Sequence, residues 1–145
     1  TGKGGGGGGH GGGAGRGGSG GAGAGGASGG QGGGGDFSAV LAIFADHCVT
    51  CHDATKVGLP TYPQLSLTAA DAHDALVGHP ADETCGGIRV VAGDPASSYL
   101  IKKLTEATPC SGVRMPRPFE ILPVAPLSAD QIATISRWIS AGAPR

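Results

Sequence analysis

Residues 36–52 read DFSAVLAIFADHCVTCH, and this stretch decides how the rest of the chain is interpreted. Asp36 is a residue type that caps the start of helices, and the apolar residues after it recur at helical spacing. The pattern predicts a helix from Phe37 to about His47. Its predicted inward face is Phe37, Val40, Leu41 and Phe44. The predicted helix runs directly into a cluster of two cysteines and a histidine.

That cluster, Cys48-Val-Thr-Cys51-His52, has the spacing of the attachment motif for c-type haem. Two thiols three positions apart can add to the two vinyl groups of haem, and the adjacent histidine is then an axial ligand of the iron. A thioredoxin-like redox pair would instead follow a strand, and a zinc site would favour a second close pair of ligands. The motif predicts one covalent haem c, held by Cys48, Cys51 and His52.

The chain has a single methionine, Met115, which stands in the sequence GVRMPRP. A lone methionine is usually a flexible residue that fills gaps in a core. Met115, however, lies between Arg114 and Pro116, outside any helical periodicity, in a segment that prolines stiffen. We therefore predict that Met115 is the second axial ligand.

Composition divides the chain into a tail, residues 1–35, and a domain, residues 36–145. Glycine fills 24 of the first 35 positions, and this tail has almost no apolar side chain with which to build a core. The domain has eight Lys or Arg against 11 Asp or Glu, which gives no indication of a nucleic-acid surface. Its longest apolar run is too short to cross a bilayer, so no membrane span is predicted.

The domain resembles the monohaem class I c-type cytochromes, specifically secreted bacterial modules. The matching motifs are CVTCH at 48–52, GDPASSYLIKKL at 93–104, RMP at 114–116 and ISRWISAGA at 135–143. The resemblance implies a small all-α fold around one haem, with His52 and Met115 as axial ligands. It also implies that the first and last helices cross closely, with Phe44 and Trp138 as the candidate contact.

In that family a proline carbonyl orients the proximal histidine. Here Leu59-Pro60 follows His52 more closely than in mitochondrial relatives, so the sequence leaves the hydrogen-bond acceptor for His52 open.

Cys85 and Cys110 are left over once the haem motif is assigned. Because covalent haem is acquired outside the cytoplasm, where thiols oxidise, these two residues are predicted to form a disulfide. The same argument predicts a location outside the cytoplasm. Together with the assembly predicted below for the tail, it predicts an extracellular or cell-surface protein, with the periplasm as second choice.

Three further helices are predicted. Ser128 and Gln131 form a capping box for a last helix that runs to about Ala141, where Gly142 ends it. The inward face of that helix is Ile132, Ile135, Trp138 and Ile139. The other two helices are one opened by Thr68 and Asp71 that runs through Leu76, and one opened by Asp94-Pro95 that runs through Leu104. Residues 88–93 are predicted to be extended.

Several cationic and histidine side chains are candidates for roles near the haem. Arg89, Arg114 and Arg117 can pair with haem propionates, since a guanidinium matches a carboxylate, although each is equally well a solvated surface residue. The other three histidines of the domain are candidates to replace Met115, with structural or surface roles as the favoured interpretation. They are His47, His73 and His79.

The larger side chains of the tail share one register. His10, Arg16, Ser19, Ser28 and Gln31 are separated by multiples of three, and a polyglycine helix of the polyproline-II type has three residues per turn. The backbone of such a helix can bond only to neighbouring chains. The pattern therefore predicts that the tail assembles the protein with other copies of itself, in a filament or array. The alternative is a tether on a monomeric carrier.

No set of nucleophile, base and orienting residue is visible, so the sequence predicts an electron carrier rather than an enzyme. A haem with histidine and methionine ligands exchanges electrons and favours a comparatively high reduction potential. The redox donor and acceptor stay unidentified. A haem sensor or peroxidase, in which Met115 dissociates, is the alternative of another class.

Overall fold

The computed structural model describes residues 1–2, 36–57, 64–81, 84–117 and 124–145. The chain divides into two units, Thr1–Gly30 and Gln31–Arg145, and only Thr1 and Gly2 of the first are described. The predicted polyglycine helix at residues 4–35 and the Leu59-Pro60 pair therefore lie outside the described residues.

The described part of the second unit is mostly helical, in agreement with the predicted all-α class. Its helices are α1 (Phe37–His47), α2 (Ala72–Leu76), α3 (Tyr99–Thr105) and α4 (Ala129–Ser140). One turn of 3-10 helix, Ala54–Lys56, follows α1. The β structure of the described residues consists of isolated bridges, such as that between Val77 and Val90.

Helix α1 begins and ends where the sequence predicts. The Asp36 carboxylate accepts a hydrogen bond from the Ser38 amide at 2.9 Å, which satisfies one of the free N–H groups of the first turn. At the other end the Cys48 amide donates to the Phe44 carbonyl at 2.8 Å, so Cys48 is bonded to the last turn of the helix and its position is fixed by it.

Helix α4 has the predicted capping box. The Ser128 hydroxyl accepts from the Gln131 amide at 3.2 Å, and the Gln131 side-chain oxygen accepts from the Ser128 amide at 2.8 Å. The side-chain nitrogen of Gln131 also donates to Nε2 of His47 at 2.9 Å. The start of α4 is thereby joined to the end of α1, beside the first cysteine of the motif.

The core lies where α1 packs against α4, and α3 packs against α4 from a further side. Val40, Phe44, Ile135 and Trp138 are all within 1% of complete burial. The ring that stacks on Trp138 is that of Phe37, at 5.0 Å between centroids and 21° between planes, whereas the sequence named Phe44 as the candidate contact. Phe44 is buried in the same core and does not supply this stack.

Helix α2 is shorter than predicted. Thr68 and Asp71 precede it in a turn, where the Asp71 carboxylate accepts hydrogen bonds from the hydroxyls of Ser66 at 2.6 Å and Thr68 at 2.8 Å. These bonds lower the pKa of Asp71. Asp71 thus organises the approach to the helix, which begins only at Ala72.

Helix α3 also begins later than predicted, at Tyr99 instead of after Pro95. The Ser98 hydroxyl donates to the Asp94 carbonyl at 2.7 Å and accepts from the Val91 amide at 2.9 Å. These local bonds hold residues 94–98 in a turn in place of the first helical turn. Residues 88–93 make isolated bridges, so the predicted extended segment is present only as single bridge pairs.

Candidate functional site

The sequence CVTCH forms one tight turn at the end of α1. The amides of Cys51 and His52 both donate to the Cys48 carbonyl, at 3.1 and 2.9 Å. Both thiols are free and half-buried. The turn therefore gathers two thiols and one imidazole within a few residues, at the edge of the α1–α4 core.

Cys48 lies in apolar surroundings that suppress its thiolate. Burial, with a smaller contribution from the neighbouring Cys51, raises the pKa of Cys48 to about 12. Dithiol redox centres and zinc sites need the thiolate, and redox cysteines lie where their pKa is lowered. The environment of Cys48 is therefore unlike that of a low-pKa redox cysteine, which argues against a dithiol redox centre.

One ring nitrogen of His52 makes a hydrogen bond, and the other keeps its lone pair. Nδ1 donates to the Leu65 carbonyl at 3.2 Å, because a carbonyl only accepts. This contact fixes the tautomer in which Nε2 is unprotonated and can bind a metal. Burial lowers the pKa of His52, opposed by this hydrogen bond and assisted by the charge of Lys103.

The acceptor for His52 that the sequence left open is thus the carbonyl of Leu65. A second bond holds the two segments together, since the Leu67 amide donates to the His52 carbonyl at 2.8 Å. Backbone carbonyls carry no side-chain signature, so no pattern in the sequence pointed to this residue.

Met115 is half-buried and packs against the core. Its amide donates to the carbonyl of Lys103 in α3 at 2.8 Å, and the ammonium group of Lys103 is near enough to His52 to lower its pKa. One residue of α3 therefore bonds the backbone of Met115 and acts electrostatically on His52. Two large apolar side chains of the described residues are exposed, Val57 at 43% and Val113 at 46%. Val57 follows His52 closely in sequence, and Val113 closely precedes Met115.

The arginines predicted for haem propionates have backbone partners. Nη1 of Arg89 donates to the Ala75 carbonyl, and Nε of Arg114 donates to the Leu104 carbonyl, both at 2.8 Å. Arg117 is exposed. Propionate pairing stays a prediction for all three, and for Arg89 and Arg114 the structure adds a role in joining loops to α2 and α3.

Two of the other histidines of the domain have structural partners. His47 accepts from Gln131, as described above. Nε2 of His73 donates to the Ala143 carbonyl at 2.9 Å, and its ring meets Phe37 edge-on at 5.5 Å. His79 is exposed. These contacts favour the structural interpretation of His47 and His73 over a role as iron ligands.

Cys85 and Cys110 lie at disulfide distance, with 5.7 Å between their Cα atoms. This is the pair that the sequence analysis predicts. Closing a loop of 25 residues contributes about 3 kcal/mol to the free energy of unfolding by the chain-entropy estimate. Cys110 is close in sequence to Met115, so the bond also restrains the segment that carries the methionine.

Within the described ranges, no three or more His, Cys, Asp or Glu side chains are gathered as a metal-binding group, and no helix has the length and apolar character needed to cross a membrane. The chain matches no protein-family model, no curated protein and no solved structure.

Proposed function

We propose that residues 36–145 are a c-type cytochrome domain that carries electrons through one covalently bound haem c. The observation that carries the proposal is the turn of Cys48, Cys51 and His52, in which Nδ1 of His52 is committed to the Leu65 carbonyl and Nε2 keeps its lone pair. A protein ligand of haem iron has this arrangement, with the second nitrogen held by a carbonyl.

The side chains present fit this group. Cys48 and Cys51 are free thiols that would form the two thioether bonds. His52 and Met115 would be the axial ligands, and Val57 and Val113 offer exposed apolar groups for a large planar ligand to cover. A bound haem with both axial positions filled supplies one-electron transfer and leaves no open position for oxygen or peroxide.

Replacing Met115 by alanine tests the proposed carrier against a sensor or peroxidase. In the wild-type protein we expect a six-coordinate low-spin ferric spectrum with the long-wavelength methionine-to-iron band. Met115→Ala should keep the haem covalently attached and lose that band, because the thioether is the ligand that the band reports. Optical and electron paramagnetic spectra of both proteins measure this.

Arg137→Ala is the control, since Arg137 is exposed on α4 and has no proposed role at the haem, so its replacement should leave the spectrum unchanged. A five-coordinate ferric spectrum of the wild-type protein would favour the sensor or peroxidase. An unaltered spectrum in Met115→Ala would assign the sixth position to a histidine.

We further propose that the tail, residues 1–35, assembles the cytochrome domains into an extracellular filament or array. The support is the three-residue register of its larger side chains. At about 3.1 Å per residue, a polyproline-II-type segment spanning residues 4–35 would reach roughly 100 Å, several times the radius of a domain of this size. Bonds between the backbones of neighbouring tails would take the place of a hydrophobic core.

Deleting residues 1–35 tests the assembly. The deletion spares Asp36, so the cap of α1 is retained and the domain should fold with an unchanged haem spectrum. We expect the full-length protein to form large particles by electron microscopy and light scattering, and the truncated protein to be monomeric. A full-length protein that stays monomeric at high concentration, with tail amides that exchange as fast as in an unfolded peptide, would favour the tethered carrier.

A further inference from the structure

The segment that carries Met115, residues 110–115, is fastened to α3 and is named here the Met115 segment. The ammonium group of Lys103 donates to the Ser111 carbonyl. Nε of Arg114 donates to the Leu104 carbonyl and the Met115 amide donates to the Lys103 carbonyl, both at 2.8 Å. The position of Met115 therefore depends on how firmly this short segment is held against the helix.

Tyr99, the first residue of α3, holds the beginning of the same segment. Its half-buried phenol oxygen accepts from the Ser111 amide at 3.1 Å. The same oxygen lies 3.5 Å from the Ser111 carbonyl and 3.8 Å from Sγ of Cys85, either of which can receive the phenol proton. One hydroxyl thus contacts both the Met115 segment and the disulfide that anchors it to residue 85.

A small cavity adjoins Tyr99 and the disulfide. The cavity has a volume of about 210 Å³ and is lined by Tyr99, Lys102 and both cysteines of the disulfide, among others. Cys110 is exposed on this side, whereas Cys85 is half-buried. The cavity therefore borders the disulfide, and the hydroxyl of Tyr99 bonds the Ser111 amide while Lys103 bonds the Ser111 carbonyl.

We propose that Tyr99 is a positioning residue for Met115: its hydroxyl holds Ser111 and Cys85 together at the base of the Met115 segment and so sets how firmly the thioether is presented. This role rests on the proposed function, in which Met115 is an axial ligand. A thioether is a neutral and weak ligand, so its occupancy depends on how well the chain prepositions it.

Tyr99→Phe in the full-length haem protein is the test, because it removes the hydroxyl and keeps the ring. The Ser111 amide then loses its acceptor. We expect hydrogen exchange at the Ser111 and Met115 amides to accelerate roughly tenfold, as local opening of the segment becomes easier. Added imidazole should displace the methionine ligand at about one tenth of the concentration that the wild type needs, read from loss of the methionine-to-iron band.

Thr105→Val is the matched control, since it removes a hydroxyl from the same helix whose partner, at 2.8 Å, is the Ile101 carbonyl and not the Met115 segment. It should behave as wild type in both measurements. If Tyr99→Phe also behaves as wild type, the ring alone is sufficient and the positioning role is wrong.

The two failures are distinguishable. A wild-type protein without haem, or without the methionine band, overturns the proposed function and this role together. A wild-type protein with both, whose Tyr99→Phe variant exchanges and binds imidazole as before, overturns the positioning role alone. If hydrogen exchange in Tyr99→Phe accelerates only at the Ser111 and Met115 amides and is unchanged at the α4 amides, the hydroxyl acts locally and the variant has not lost global stability.

Discussion

Replacing both Cys48 and Cys51 by serine is expected to abolish covalent haem attachment completely. A serine hydroxyl does not form the thioether bonds that the two thiols would make, and the proposed ligands that remain, His52 and Met115, would hold haem only by coordination. Haem staining of a denaturing gel and intact mass measure the result. The wild-type band should carry one haem and the double variant none.

Cys85→Ser with Cys110→Ser provides the matched control, because it also replaces two cysteines by serine and leaves the CVTCH turn intact. It should keep the covalent haem and lose only the loop restraint of the disulfide. Covalent haem in the Cys48 and Cys51 double variant would contradict the proposed attachment. A wild-type protein that binds zinc or cycles as a dithiol, with no haem, would assign the site to one of these two alternatives.

Trp138→Ala is expected to lower the free energy of unfolding by about 3–5 kcal/mol, the usual cost of deleting a large aromatic side chain from a core. The Trp138 side chain is completely buried and stacks on Phe37. Its indole nitrogen also donates to the Pro144 carbonyl at 2.7 Å. The change therefore removes the Phe37–Trp138 stack between α1 and α4, together with a hydrogen bond to the residues after α4.

Denaturant unfolding followed by far-ultraviolet circular dichroism measures this effect, since Trp138 is the single tryptophan of the chain and its fluorescence is lost in the variant. Arg137→Ala is the control on the neighbouring position of the same helix. Arg137 is exposed, so its replacement should alter the free energy of unfolding by no more than about 0.5 kcal/mol. Equal effects of the two variants would contradict the assignment of Trp138 to the core.

The sequence was sufficient for the elements whose signals are local. Asp36 caps α1 and the Ser128–Gln131 box opens α4 as predicted, because a capping contact spans only two or three residues. The pairing of Cys85 with Cys110 followed from elimination after the CVTCH motif was assigned. The mostly helical class followed from apolar residues at helical spacing.

Only the tertiary structure decided the contacts that join distant segments. Tyr99 starts α3 because Ser98 is bonded to Val91 and Asp94 in a turn, and this competes with the helix that Pro95 would otherwise open. Trp138 stacks on Phe37, and not on Phe44, because the crossing of α1 and α4 sets which ring is in reach. The helical spacing of apolar residues shows which rings can face the core, but it does not show which of them contacts Trp138.

The candidate site also has some features that the sequence predicts and others that only the tertiary structure decides. The residue types Cys48, Cys51, His52 and Met115 were evident from motif and spacing, because the proposed chemistry requires those side chains. The Leu65 carbonyl that orients His52 and the Lys103 carbonyl that receives the Met115 amide were not, since every residue but proline offers the same backbone donor and acceptor. Which carbonyl is used depends on where the folded chain places it, and that is set by packing between segments far apart in sequence.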